Sequence, residues 1–180
     1  MIRLFAGIAL PEAAADALVA IQGGVPGARW IAPENMHITL AFIGEVDPER
    51  AEELAQALDE APLPGPFEVT LKGTGVFERG RKPYAIWAGV EDNPALVQCQ
   101  KRVAAALTGA GVDLEKRKYF PHVTIARMKQ PDRARLEKFL KETALFRADP
   151  FRVDRVTLFS SHLGKAGAQY TREVEFELGE

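Results

Sequence analysis

Apolar and polar residues alternate along this chain with two different periods. "IRLFAGIAL" near the start and "MHITLAFIG" at 36–44 open in alternation and run on apolar, as strands do. Between them, "PEAAADALVAIQ" has helical spacing with proline at its first position, and "GGVPG" marks a turn. "DPERAEELAQALDEA" predicts a second helix, with Asp47 as cap, Pro48 in the first turn and acidic residues early, where the helix dipole favours them. "PLPGP" reads as a linker between two halves, or the boundary of an exposed turn. Beyond it, "FEVTLKGTGVF" and "YAIWAGV" predict a hairpin joined by the basic loop "ERGRKP". Asn93 and Pro94 open the helix "ALVQCQKRVAAALTGAG", with apolar positions Leu96, Val97, Val103, Ala104 and Leu107. "KYFPHVTIARM" follows as a strand and "PDRARLEKFLKET" as a helix, and "FRVDRVTLFSSHL" and "QYTREVEFEL" close the chain as strands.

Helices that connect mostly antiparallel strands indicate an α+β architecture, with helices on the outer faces of two small sheets. The 180 residues fit one domain over 1–180, built as two intertwined lobes that share a core. With 47% hydrophobic and 27% charged residues the composition is that of a globular protein. A net charge of −2 leaves no bulk basic character, so any surface for nucleic acid must be local. No run reaches the roughly 18 apolar residues of a membrane span. The opening "MIRLFAGIALPEAAADAL" lacks a signal-like charged start and cleavage site, so a cytoplasmic location is expected. The single cysteine, Cys99, rules out an internal disulfide; its apolar-periodic surroundings predict a structural thiol rather than a nucleophile. Three histidines and one cysteine cannot build a Cys/His zinc cage, although counting leaves a mixed carboxylate site open.

One pattern recurs. "HITLAFIGEV" and "HVTIARMK" each place a histidine and a threonine two residues apart in an apolar strand. Strict alternation puts His37, Thr39 and Ala41 on one face, with Met36, Ile38, Leu40 and Phe42 turned to the core. It puts His122, Thr124 and Ala126 together in the second copy, opposite Val123 and Ile125. Each strand thus offers one imidazole and one hydroxyl. Threonine favours strands in any case, so a single copy is equally a packed or surface feature. Two copies together suggest a site. Two imidazoles can serve as general base and general acid near neutral pH, and two hydroxyls can donate to anionic oxygens. That set suits a phosphodiester under in-line attack and needs no metal or other cofactor. His162, in the polar segment "SSHLGKAG", reads as a loop residue outside the site.

Taken together, "RLFAGIALPE", "RWIAPENMHITLAFIGEV", "YAIWAGV", "YFPHVTIARM" and "VTLFSSHLGKAGAQYTREVEFEL" resemble the bacterial and archaeal RNA 2′,3′-cyclic phosphodiesterases. These are also called 2′–5′ RNA ligases, within the 2H phosphoesterase superfamily. The resemblance implies a bilobal fold with pseudo-two-fold symmetry around a central cleft. It implies hydrolysis of a terminal 2′,3′-cyclic phosphate to a 2′-phosphomonoester, with 2′–5′ ligation as a minor reverse reaction. By the same resemblance His37 is the proton donor and His122 the acceptor, and Thr39 and Thr124 hold the phosphate oxygens. Arg127 takes the phosphate-associated position five beyond the second histidine, although strict alternation turns it away unless a bulge intervenes. Phe42 stands at the equivalent place in the first motif, so the two lobes differ chemically.

Phe5 shares a face with Arg3 and Gly7, either to stack on a terminal base or to fill the core. Trp30 and Trp87 read as packing. Lys116, Arg117 and Lys118, with Arg79, Arg81 and Lys82, are either solvated surface or a local path for an RNA backbone. The expected partner is RNA with a cyclic phosphate end, or a small cyclic nucleotide, acted on by a monomer with no membrane contact. Competing expectations are a phosphodiesterase for small cyclic phosphates or 2′–5′ oligoadenylates, and a non-catalytic module that binds RNA ends.

Overall fold

The computed structural model describes residues 1–165 and 167–179. It begins with β1 (Ile2–Ala9), α1 (Glu12–Val19), β2 (Ala28–Trp30), a 3₁₀ turn (Pro33–Asn35), β3 (His37–Val46) and α2 (Pro48–Asp59). Then come β4 (Phe67–Val69), β5 (Leu71–Arg79), β6 (Lys82–Val90) and α3 (Pro94–Gly109). It ends with β7 (His122–Met128), α4 (Arg133–Glu142), β8 (Phe151–Val153), β9 (Arg155–Gly164) and β10 (Gly167–Glu177).

The local signals for two helices are borne out, and Asp132 caps a third in the same way. Asp47 accepts from the Arg50 amide at 2.7 Å, Asn93 from Leu96 at 3.0 Å and Asp132 from Arg135 at 3.0 Å. Each such cap is worth about 1 kcal/mol. Pro48 and Pro94 sit in first turns, where a missing N–H costs nothing.

The strands make two antiparallel sheets, ordered β10-β9-β1-β3 and β2-β7-β6-β5, and a small ribbon β4-β8. The α+β class with two antiparallel sheets is therefore as expected. The strand order, which the sequence left open, crosses between the halves. β2 leaves the N-terminal half to edge the second sheet, and β9 and β10 return from the C-terminus to complete the first. "PLPGP" thus joins α2 to β4 and does not divide two halves. "FEVTLKGTGVF" breaks at Thr70, and "FRVDRVTLFSSHL" breaks at Asp154; the short pieces β4 and β8 pair with each other. His162 lies within β9 opposite Gln169, so it is an exposed strand residue and not a loop residue.

One apolar cluster runs through both sheets. Leu4 and Ile38 from the first and Ile86, Val123 and Ile125 from the second meet Leu18, Leu54, Leu58, Leu96, Val103 and Leu136 from the helices. Burying each such side chain contributes about 1.5–3 kcal/mol. Cys99 is fully buried among them, and that burial pushes its thiol up to about 11, so it is a packing residue.

Both motif strands depart from strict alternation at the same place. Opposite β1, Gly7 faces Thr39 but Ala6 faces Ala41, so Leu40 is an extra residue; Ile43 is a second one further on. Opposite β6, Trp87 faces Thr124 but Ile86 faces Ala126, which makes Ile125 extra. Each bulge leaves two consecutive residues buried and advances the phase by one. Ala41 and Ala126 therefore turn into the core rather than standing beside the histidines. Phe42, expected inside, is 52% exposed under the Arg3 guanidinium, 5.1 Å from its ring centre. Arg127 is exposed as well, on the face of His122 and Thr124.

Candidate active site

His37 begins β3 directly after the 3₁₀ turn, and that turn supplies its first partner. The imidazole Nδ1 lies 2.9 Å from the Asn35 carbonyl. A carbonyl only accepts, so Nδ1 carries the hydrogen and the neutral ring leaves Nε2 bare. Nε2 in turn accepts from the Thr39 hydroxyl at 3.1 Å. Three aromatic rings enclose the imidazole: Phe5 at 4.7 Å, Tyr170 edge-on at 5.0 Å and Phe159 at 5.7 Å. The pKa is lowered from 6.5 to about 4, chiefly by burial; the Asn35 hydrogen bond opposes the shift, and the charges of His122 and Arg127 add to it.

His122 repeats this construction from the other sheet. Its Nδ1 lies 2.8 Å from the Phe120 carbonyl, again two residues back, so its Nε2 is bare too. Phe77 meets the ring edge-on at 4.8 Å, and Phe120 stacks at 5.7 Å. Burial again lowers the pKa, with Arg127 contributing. The two imidazoles and Arg127 thus come together where β3 approaches β7, and the Tyr119 hydroxyl fastens that approach by donating to the Thr39 carbonyl at 2.8 Å. Thr124 stands half-buried beside His122, opposite Trp87.

Phe5 departs from one of its two expected roles. It is 4% exposed and wedged between His37 and Phe159, whose ring is 4.9 Å away. A ring so enclosed has no face to offer a base; it supports the imidazole instead. Trp30 packs on Phe139, and Trp87 lies so close over Gly75 that a Cβ there would collide with the indole. The basic loops are exposed, but Arg117 is tied to Glu115 and Arg79 lies over Tyr84 at 5.1 Å. Among the described residues, no group of three or more His, Cys, Asp or Glu is arranged to hold a metal ion, and no helix is long and apolar enough to cross a membrane.

Sequence reasoning missed Asn35. Its side chain donates to the Ala168 carbonyl at 3.1 Å and accepts from the Tyr170 amide at 3.4 Å, pinning β10 against the turn that holds His37. The available signal was its place two residues before the histidine, matched by Phe120 before His122.

This arrangement of two antiparallel sheets with flanking helices has known counterparts. The 2′-5′ RNA ligase superfamily model matches residues 10–165, and the chain belongs to that family. Among its relatives, the RNA 2′,3′-cyclic phosphodiesterase of Thermotoga maritima is 37% identical over 85% of this chain and 82% of its own. The enzyme of that name from Methanothermobacter thermautotrophicus is 31% identical over 98% of this chain and 99% of its own. In fold, the chain is similar to a crystal structure of a Thermus thermophilus protein, with a TM-score of 0.80, 26% identity and coverage of 98% and 97% of the two chains. It is also similar to apo LigT of E. coli, with a TM-score of 0.78, 24% identity and coverage of 99% and 98%.

Proposed function

We propose that this protein hydrolyses RNA 2′,3′-cyclic phosphate ends to 2′-phosphomonoesters, using His37 and His122 without a metal. The observation that carries this is the matched pair of imidazoles, each with Nδ1 bound to a carbonyl two residues back and each within reach of the Arg127 charge. Relatives that span most of the chain carry the corresponding name, which supports the same substrate class.

In the step proposed, water attacks phosphorus in line with the 3′-oxygen. His122 Nε2 takes the water's proton as the new P–O bond forms. The bond to the 3′-oxygen breaks, and His37 Nε2 gives that oxygen its proton. The products are a 3′-hydroxyl and a 2′-phosphate. Thr39 and Thr124 donate to the non-bridging oxygens, and Arg127 offsets the charge that builds on them. His37 holds no proton on Nε2 at neutral pH in the free protein, because its pKa is about 4. The cyclic phosphate arrives as a monoanion; its charge opposes the cations weighing on the ring and draws a proton onto Nε2. Run backwards with a 5′-hydroxyl in place of water, the same arrangement forms a 2′–5′ linkage, the minor activity. The protein works as a monomer in the cytoplasm, a single domain of two intertwined lobes.

The test is turnover of a short RNA with a 2′,3′-cyclic end in excess EDTA, with the product identified by phosphorus NMR. A 2′-phosphate formed at undiminished rate is expected. A 3′-phosphate, or loss of turnover on chelation, refutes the mechanism.

A further inference from the structure

The bulge at Ile125 that carries Arg127 to the histidine face has a second consequence. Arg127 sits directly opposite Arg29 in the β2–β7 ladder. Residues opposite one another in an antiparallel pair share a face. The neighbouring pairs set which face this is: Ala28 opposes buried Met128, Trp30 opposes buried Ala126, and Trp30 packs on Phe139 of α4. Arg29 and Arg127 therefore point away from α4, onto the open face shared with His122 and Thr124. Both are exposed, and among the described residues neither has a carboxylate partner. Arg50, Arg117, Arg147, Arg155 and Arg172 each pair with an acid, and several other arginines do not; what sets Arg29 and Arg127 apart is that they stand directly opposite one another. Like charges directly across a ladder destabilise it. In a chain of net charge −2, two unpaired guanidinium groups side by side call for an anion.

Arg29 is also bounded from the first sheet. A Cβ built on Gly167, at φ +103, would come 3.1 Å from Arg29 Nη1, so the end of the β9–β10 hairpin lies against this guanidinium. The other end of that contact leads back to the site, since Tyr170 on β10 rests on His37. Arg29 thus stands where the two sheets converge. In the ladder Arg29 stands one strand beyond Arg127, so its anion lies beside the reacting phosphate, one strand spacing of roughly 5 Å further out.

We propose that Arg29, next to Arg127, binds the phosphodiester one nucleotide upstream of the cyclic end, so that the enzyme is built for oligonucleotide ends over free cyclic mononucleotides. This rests on the phosphodiesterase reading above and names its substrate class. The experiment compares kcat/KM for uridine 2′,3′-cyclic phosphate with that for a uridine trinucleotide bearing the same end, in wild type, Arg29→Gln and Arg29→Lys. The wild type favours the trinucleotide. Arg29→Gln reduces that preference about tenfold through KM and makes its salt dependence shallower by about 0.7 in log–log slope, one single-strand phosphate contact. Arg29→Lys keeps part of the preference. An unchanged ratio in Arg29→Gln, or an equal loss on both substrates, overturns the assignment. If the wild type turns over neither substrate, the phosphodiesterase reading fails. The upstream site is then judged by fluorescence anisotropy: it stands if Arg29→Gln weakens binding of a labelled uridine trinucleotide and falls if it does not.

Discussion

Burial of His37 has a cost that can be measured without any substrate. The pKa is 6.5 in an ordinary setting and about 4 in the folded protein, lowered chiefly by burial. Below pH 6.5 the unfolded chain takes up this proton while the folded chain refuses it. Stability is therefore intact above pH 6.5 and declines as the pH falls towards 4. At about 1.4 kcal/mol per pH unit the full loss comes to about 3 kcal/mol, most of it already incurred by pH 4.5. Acid acts on the rest of the chain as well, so the comparison must be with a variant. His37→Gln keeps a hydrogen-bonding side chain of similar reach but removes the titration. In urea unfolding, the stability of His37→Gln relative to wild type should improve by about 2 kcal/mol between pH 7 and pH 4.5. Inorganic phosphate at pH 4.5 should stabilise wild type more than His37→Gln, because an anion at the site returns the proton to the ring. A stability difference that does not change with pH would mean that His37 is not held neutral by its surroundings, and the coupling of protonation to substrate binding would fall with it.

Four further outcomes are expected. His37→Ala and His122→Ala should each lower kcat by about 10²-fold or more in the cyclic-phosphate assay; near-full activity in either removes that residue from its role. Arg127→Gln should lower kcat/KM by roughly 10–100-fold, the worth of hydrogen bonds to a charged group, and Arg127→Lys should restore only part, since an ammonium cannot grip two oxygens as a planar fork. Asn35→Ala removes both bonds to β10 and leaves the carbonyl that orients His37 unsupported; steady-state kinetics should show kcat down roughly tenfold with KM little changed, from about 1 kcal/mol of lost positioning. Phe5→Ala empties a buried site and should cost about 3–5 kcal/mol in chemical unfolding, whereas Phe5→Leu should fold well yet lose kcat as the imidazole loses its ring support.

Much of the fold was legible where its cause is local. Asp47 and Asn93 announce their helices because a cap is a contact three residues long, between one side chain and one amide. The pairing of His37 with Thr39 and of His122 with Thr124 was legible for a similar reason, since each histidine and its threonine lie on one face before any bulge intervenes. Other features have distant causes. β2 is three residues long, too short for alternation to register, and it is a strand only because β7 lies beside it. The exchange of β2, β9 and β10 between sheets depends on which edges are open in the finished fold, which no window of sequence carries. Asn35 looked like a turn residue because its partners, Ala168 and Tyr170, are far away in the chain.

The positions misassigned in the motif strands share one origin. An extra residue is invisible to a period of two, because Leu40 and Ile125 are as apolar as a continuing strand demands. Only the partner strand's register makes them surplus. Yet the small residue that follows each, Ala41 and Ala126, is what lets two consecutive side chains enter the core. The same slip that buries the alanine turns the next side chain out of the core: Phe42 in one sheet, Arg127 in the other. From one backbone device the two lobes thus present different side chains. His122 gains a cation on its own strand, whereas in the first sheet the nearest equivalent, Arg3, is held over the Phe42 ring. That difference gives the two histidines unequal surroundings, as one acid and one base require.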